Sequence, residues 1–180
     1  MIQTIRLDRI LQGAVATPYR DLVTRPTGAA VRHGVVDALH HQPCVTAVLD
    51  FSAVGLLDFS CADEVVAKLV IVMQTSPGPF LVLAGLSEDH SEAIDHVLTR
   101  HSLVVAALPH PGETPFLLGP TSNEARLAFR FVHEHGPCTL SGLVGGLGWS
   151  FDQASQALQE LIYHRLVLQD DATYRPFPLQ

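Results

Sequence analysis

Short apolar runs alternate with longer amphipathic segments along this chain, and this alternation limits the possible folds more than any other feature. Residues 44–51 and 80–84 are brief and apolar, as is typical of strands buried on both faces of a parallel sheet. Residues 59–74 and 87–100 carry apolar side chains at helical spacing. The alternation predicts βαβ units, that is, a mostly parallel sheet with helices packed against it.

Weaker patterns predict the rest of this α/β unit. Residues 2–11 alternate weakly between apolar and polar side chains and predict a first strand, and residues 103–108 predict a last one. Thr24 has the position of an N-cap and Pro26 that of a first-turn proline, which predicts a helix that ends near residue 41.

A change of composition at residues 109–120, which contain four prolines and two glycines, indicates a domain boundary. We therefore expect an α/β domain at residues 1–108, a linker at residues 109–120 and a second domain at residues 121–180. The second domain is predicted to contain three helices and then two short strands, at residues 121–135, 139–147, about 150–162, 166–169 and 173–177.

Two capping boxes support the predicted helix starts of the second domain. Thr121 stands three residues before Glu124, and Ser150 stands three residues before Gln153. In each pair the first side chain is expected to accept a hydrogen bond from the first turn, and the second to bond back to the cap.

The composition is that of a folded, acidic protein, with 47% hydrophobic residues in 180 and a formal net charge of −7. This charge disfavours nucleic acid and membrane surfaces as partners. The sequence has no apolar run long enough to span a membrane and does not start like a signal peptide, so we expect a cytoplasmic location. Cys44, Cys61 and Cys138 are odd in number and far apart, and we expect reduced thiols.

The most distinctive run, residues 49–64, has a buried strand, a short apolar arch and then a helix that starts with Asp58, Phe59, Ser60 and Cys61. This run resembles STAS domains, the fold of anti-sigma factor antagonists. In those domains a Leu-Asp-Phe/Leu-Ser-like strand end precedes an apolar dipeptide and an Asp-Ser-Ser/Thr-Gly helix start. Asp58 stands at the family aspartate, Phe59 at the serine that is usually phosphorylated, Ser60 at the next hydroxyl residue and Cys61 at the glycine.

The resemblance implies a bacterial regulatory protein whose α/β domain binds a protein partner, such as a kinase related to anti-sigma factors. It implies a partner- or anion-binding site at Asp58, Phe59, Ser60, Cys61 and Asp63. Ser60 is the candidate phosphorylation site, although the family's own phosphorylation position holds Phe59. A helix N-terminus attracts anions through its free N–H groups, which gives such a site a physical basis.

A simpler interpretation of the same residues stays open. Asp58 or Ser60 would only cap the helix, with Ser60 and Asp63 as a loose capping box. Phe59 is expected in the core rather than on a docking surface, because a single aromatic residue in an apolar stretch usually serves packing.

The second domain resembles winged helix-turn-helix domains from about residue 121 to residue 177, in the order of its capped leucine-rich helix, glycine turn and terminal strands. In DNA-binding members the third helix enters the major groove. Gln153, Gln156 and Gln159 on that helix, with Arg175 in the wing, would be the DNA-reading residues. Residues 121–180 contain four arginines and six acidic residues, so charge disfavours DNA binding and favours assembly or protein interaction.

Residue spacing gives little support for an enzyme, a metal site or a cofactor. His133 and His135 with Cys138 lack a second ligand pair and point in different directions on a helix. The glycine-rich residues 142–148 follow no strand and precede no lysine, so they fail the test for a phosphate loop. We expect a non-enzymatic protein without metal or cofactor, which forms homo-oligomers such as a dimer.

Three functional hypotheses follow from these patterns. The first is a regulatory adaptor that binds a protein partner near Ser60 and uses the winged helix for assembly. The second is a transcription regulator that binds DNA and uses the STAS-like domain as a sensor. The third is a sensor of a small anion or nucleotide at the helix N-terminus near Ser60.

Overall fold

A five-stranded sheet organises the computed structural model, which describes residues 1–15, 19–75, 78–110 and 112–179. The strands follow one another across the sheet in chain order. The first four are parallel and the fifth is antiparallel to the fourth. They are β1 (Ile2–Arg6), β2 (Thr46–Asp50), β3 (Phe80–Ala84), β4 (Val105–Leu108) and β5 (Phe116–Leu118).

The connections between the parallel strands are helical, as the alternating sequence predicts. Sequential strand order with right-handed connections places such helices on one face of a sheet. Their inward side chains form a core with that face. The helices are α1 (Leu7–Ala14), α2 (Arg25–His41), α3 (Phe59–Ala62), α4 (Lys68–Thr75) and α5 (Glu88–His101), and the π-helical turn Asp63–Ala67 joins α3 to α4.

The first strand is shorter than the sequence predicts. The expectation of a strand over residues 2–11 is wrong beyond Arg6, because the chain enters α1 at Leu7. Leu7 and Leu11, four residues apart, are both buried on one side of this helix. Asp8 is buried next to Leu7, so the buried residues of this segment have helical spacing, whereas adjacent residues of a strand point to opposite faces.

The C-terminal region consists of three helices and a small antiparallel sheet with strand order β6-β8-β7. Ser150 and Gln153 form the predicted capping box. The other prediction is wrong, because Ser122 and not Thr121 caps its helix and accepts from the N–H of Ala125. The elements are α6 (Asn123–His135), β6 (Cys138–Thr139), α7 (Leu140–Leu147), α8 (Phe151–Tyr163), β7 (Leu168–Asp170) and β8 (Thr173–Arg175).

This C-terminal region covers the second face of the five-stranded sheet. Val82 and Ala106 of the sheet share a buried core with Phe129 of α6 and Leu158 of α8. Residues 116–118 of the predicted linker form β5, and residue 111 of that stretch lies outside the described residues. The sheet therefore has helices from the two halves of the chain on opposite faces.

Candidate functional site at the start of helix α3

The arch between β2 and α3 is fixed by backbone hydrogen bonds to the segment before α2. The N–H of Leu22 donates to the carbonyl of Leu56 at 2.8 Å, and the N–H of Asp58 donates to the carbonyl of Leu22 at 3.0 Å. The N–H of Gly55 donates to the carbonyl of Arg20 at 2.8 Å. His90 of α5 reaches the carbonyl of Gly55 through Nε2 at 2.6 Å. These hydrogen bonds hold the backbone of the arch in one conformation.

Asp58 is the N-cap of α3. Its Oδ1 accepts hydrogen bonds from the N–H of Cys61 at 2.7 Å and the hydroxyl of Ser60 at 2.8 Å, and its Oδ2 accepts from the N–H of Thr24 at 2.8 Å. Burial alone would raise the pKa of this carboxyl, but these hydrogen bonds outweigh it and lower the pKa. Asp58 is thus the helix cap, as the simpler interpretation of the sequence allows. The loose capping box predicted between Ser60 and Asp63 is not formed.

Cys61 is buried behind this cap. Its thiol donates to the carbonyl oxygen of Thr24 at 2.9 Å. Burial foremost, with the nearby charge of Asp58, raises the pKa of the thiol to about 12. The residue therefore stays protonated at neutral pH and lacks the thiolate that a nucleophile or a redox cysteine requires.

Phe59 lies at the surface, and the expectation that it belongs to the core is wrong. Its side chain is 53% exposed, and its ring lies 4.6 Å from the ring of His96 on α5. Leu56 of the arch is 65% exposed and Val23 is 37% exposed. The linear apolar pattern around Phe59 did not indicate this exposure. We call the three side chains of Val23, Leu56 and Phe59 the docking face.

Glu64, in the π-helical turn next to the cap, is a buried charge that the sequence interpretation missed. It is 3% exposed and forms ion pairs with Arg25 at 2.9 Å, with Arg32 at 3.4 Å and with Lys68. Burial favours the neutral acid, yet these cations lower the pKa of Glu64. Two sequence signals were available: the spacing of Glu64 and Lys68 by four residues, and the seven-residue spacing of the two arginines.

Asp63 belongs to the same group of ion pairs beside the cap as Glu64. Its carboxylate accepts one hydrogen bond from Arg25 at 2.8 Å and pairs with Nε2 of His101 at 2.7 Å. Burial raises the pKa of Asp63, and the bonds to Arg25 and His101 lower it by more. The structure thus places all five predicted residues, from Asp58 to Asp63, around one helix start, but the side chains of four of them, all except Phe59, are engaged in internal bonds there.

The predicted DNA-reading residues lie in the C-terminal region, on the other face of the sheet from α3. Oε1 of Gln153 accepts from the N–H of Ser150 within the capping box. Arg175 pairs with Asp170 at 2.9 Å. Gln156 and Gln159 are exposed on α8. Two of the four side chains are therefore already used within the fold.

No family model, no curated protein and no solved structure matches this chain. Among residues 1–15, 19–75, 78–110 and 112–179, no group of three or more histidine, cysteine or acidic side chains is arranged to hold a metal ion. Within the same ranges, no helix is long and apolar enough to cross a membrane.

Proposed function

We propose that this chain is a cytoplasmic, non-catalytic regulatory adaptor that binds a protein partner through the docking face. In this proposal the α/β half is a STAS-like domain. The C-terminal half is a winged helix that serves assembly into homo-oligomers rather than DNA recognition. The partner is a protein with an apolar pocket, such as a kinase related to anti-sigma factors.

The observation that carries the proposal is the exposure of Leu56 on the arch and of Phe59 at the start of the helix that follows it. A few anchor side chains at the centre of an interface commonly supply most of its binding energy, and aromatic side chains are enriched there. Because backbone bonds already fix the arch, docking would order little additional chain, which reduces the entropic cost of association. The exposed ring of Phe59, 4.6 Å from His96, offers such an anchor at the helix start where the resemblance implies partner binding.

The second hypothesis, DNA binding through the C-terminal region, has little support from its arginines. Arg126 donates to the carbonyl of Gly119 at 2.8 Å, and Arg165 donates to the carbonyl of Gly78 at 2.7 Å. Arg130 lies 3.5 Å from Glu134, and Arg175 lies 2.9 Å from Asp170. Phosphate contacts from arginine and lysine provide most of the affinity for DNA, and here each arginine has an internal partner.

The third hypothesis, an anion sensor at the start of α3, conflicts with the charge at that position. The carboxylate of Asp58 already occupies the N–H groups of Cys61 and Thr24. An incoming phosphate would meet this negative charge at close range and would have to displace it. A protein partner that contacts the apolar side chains beside the cap does not have this difficulty.

The experiment is affinity purification from the source organism with wild-type and variant chains, with retained proteins quantified by mass spectrometry. Phe59→Ala removes the exposed ring without touching the core. Phe116→Ala on β5 is the matched control, because Phe116 is also a partly exposed ring, at 40%. We expect a partner that wild type and Phe116→Ala retain and that Phe59→Ala loses by about tenfold or more, as for a hot-spot residue.

Ser60→Glu is a second probe of the same surface. The added carboxylate would face Asp58, whose Oδ1 lies 2.8 Å from the Ser60 hydroxyl, and would disturb the cap by repulsion. We expect it to weaken partner retention as well. Retention of no partner by the wild type, or equal retention by wild type, Phe59→Ala and Ser60→Glu, would contradict the proposal.

A further inference from the structure

A cavity of about 870 Å³ lies on the second face of the sheet, above the part that the C-terminal helices leave uncovered. Parallel sheets are normally covered on both faces, so an open floor of this kind is unusual. Its volume lies in the range of small-molecule sites, about 300–1,000 Å³. The floor comes from alternate residues of the four parallel strands, namely Ile2, Thr4, Val48, Asp50, Ala84 and Leu108.

The wall opposite the floor is the C-terminal tail together with α6. The hydroxyl of Thr46 donates to the carbonyl of Pro178 at 2.7 Å, which fastens the tail to β2. The ring of Phe177 stacks at 5.3 Å on Phe80 of β3. His133 of α6 lies against Phe177, with 4.8 Å between ring centres. The tail is therefore held in place at two points, and the cavity is a defined space rather than a gap under a loose end.

The cavity lies at one edge of the sheet. Asp50, Ala84 and Leu108 are the last residues of β2, β3 and β4, so the cavity opens at the carboxyl ends of parallel strands. The loops that follow these strands complete its rim, with Ser52, Gly85 and residues 109, 110 and 112–115. Loops held on a rigid scaffold often carry binding side chains, and here the loops after three neighbouring strands meet at one edge of the sheet.

The charges of the lining are of one sign. Asp50 and Glu113 carry carboxylates, and the lining residues that the structure describes include neither arginine nor lysine. Asp50 uses Oδ1 to accept the N–H of Ser52 at 2.8 Å. Val48, Leu108 and Phe177 give apolar walls, and Nε2 of His133 is buried with no hydrogen-bond partner among the described residues. An apolar space with one carboxylate on its floor and one at its rim favours a cation with an apolar body.

We propose that this cavity binds a small organic amine, whose ammonium group pairs with Asp50 and Glu113 and whose ring packs on Val48, Leu108 and Phe177. This site lies on the opposite side of the sheet from the docking face, and the inference does not depend on the proposed adaptor function. An amine bound there would contact the tail, β2, β4 and the loop after β4 at once, so it would join the two halves of the chain.

Tryptamine and indole-3-acetate form a matched pair of probes, because they share the indole ring and carry opposite charges. Each is titrated into the ¹⁵N-labelled full chain to about 5 mM, since weak small ligands have dissociation constants near 1 mM. We expect tryptamine to shift the amide signals of Ala84, Leu108 and His133, and to bind about tenfold more tightly than indole-3-acetate. Equal shifts from both probes, or no shift from either, overturn the proposal.

Asp50→Asn removes one carboxylate with little change of shape, and Asp37→Asn on the exposed side of α2 is its charge-matched control. We expect Asp50→Asn to weaken tryptamine binding about fivefold or more and Asp37→Asn to leave it unchanged. Glu113→Gln, in the loop after β4, tests the second carboxylate should Asp50→Asn fold poorly. If the Glu113→Gln chain and a folded Asp50→Asn chain both bind tryptamine with wild-type affinity, the role assigned to these carboxylates is contradicted.

Discussion

The carboxylate of Asp58 accepts a hydrogen bond of 2.8 Å from the backbone N–H of Thr24, 34 residues earlier in the chain. This bond connects the start of α3 to the start of α2. The same carboxylate caps α3 through the N–H of Cys61, so one side chain fixes the starts of two helices and the end of the arch. The rigidity of the docking face depends on this arrangement.

Asp58→Ala should therefore destabilise the fold more than the loss of a simple helix cap. The change removes the acceptor of three hydrogen bonds, so the N–H groups of Thr24 and Cys61 lose their acceptor. We expect the free energy of unfolding in urea to fall by about 2–3 kcal/mol, against about 1 kcal/mol for an ordinary cap.

Asp58→Asn and Asp37→Ala are the controls for this change. Asparagine keeps an acceptor and is a good cap residue, so we expect a loss smaller than that of alanine. Asp37 is exposed on α2, and its replacement should change stability by less than about 0.5 kcal/mol. An Asp58→Ala chain as stable as the Asp37→Ala chain would show that the cap does not hold the two helix starts.

Thr24→Gly should stabilise the protein. The backbone of Thr24 has φ of 72° and ψ of 141°, a conformation that is strained for a β-branched residue and open to glycine. Relief of this strain should exceed the entropy that glycine adds to the unfolded chain, with a net gain of about 0.5–1 kcal/mol in urea denaturation. Thr27→Gly, inside α2, should instead destabilise by about 0.5–1 kcal/mol. If Thr24→Gly and Thr27→Gly change the free energy of unfolding in the same direction, the backbone of Thr24 is not strained.

The main elements of the sheet were predictable because their signals are local. Residues 44–51 and 80–84 contain β2 and β3, and residues 87–100 nearly coincide with α5. Apolar runs of this length and composition leave few alternatives to buried strands. The switch from β1 to α1 at Leu7 was missed, since a stretch of ten residues with apolar positions 2, 5, 7, 10 and 11 fits either period in part.

The candidate site shows where sequence patterns stop being informative. A cap at Asp58 follows from its place before a helix, but its bond to Thr24 joins residues that only the tertiary fold brings together. The exposure of Phe59 depends on which side of α3 meets α5, and this is not encoded within the motif. The cavity is further from prediction, because its floor needs four strands and its wall needs the tail at Phe177.

Arg165 fastens the C-terminal region to the α/β half. Its guanidinium donates to the carbonyls of Met73 and, at 2.7 Å, Gly78, and lies 5.6 Å above the ring of Phe80. Arg165→Ala leaves these carbonyls without the donor, and we expect a loss of about 2–4 kcal/mol in urea denaturation. Arg165→Lys keeps the charge but lacks the planar guanidinium that donates to two acceptors at once, so it should recover only a minor part of the lost stability.

Arg130→Ala is the matched control for Arg165. Arg130 is exposed on α6, and its partner Glu134 lies 3.5 Å away on the next turn, so its replacement should cost less than about 0.5 kcal/mol. Equal stabilities for the Arg165→Ala and Arg130→Ala chains would mean that Arg165 does not link the two halves.

His133 should make stability fall as the pH decreases below neutrality. Burial lowers the pKa of this imidazole from the ordinary value of 6.5 to about 4. Between these two values the unfolded chain binds a proton that the folded chain does not, so acidification favours unfolding. The contribution is fully present above pH 6.5 and is lost towards pH 4, with a slope of at most about 1.4 kcal/mol per pH unit.

His133→Leu should therefore flatten the dependence of the unfolding free energy on pH in the upper part of this window. Carboxyl groups with lowered pKa values, such as Asp58 and Glu64, act at lower pH and do not interfere there. Burial also lowers the pKa of His164, partly offset by Glu160, so a smaller slope of the same sign remains. His135→Leu, an exposed position two residues along α6, should keep the wild-type slope. Urea denaturation of the three chains across this range decides the matter, and a wild-type slope in His133→Leu would show that His133 is not the group that titrates.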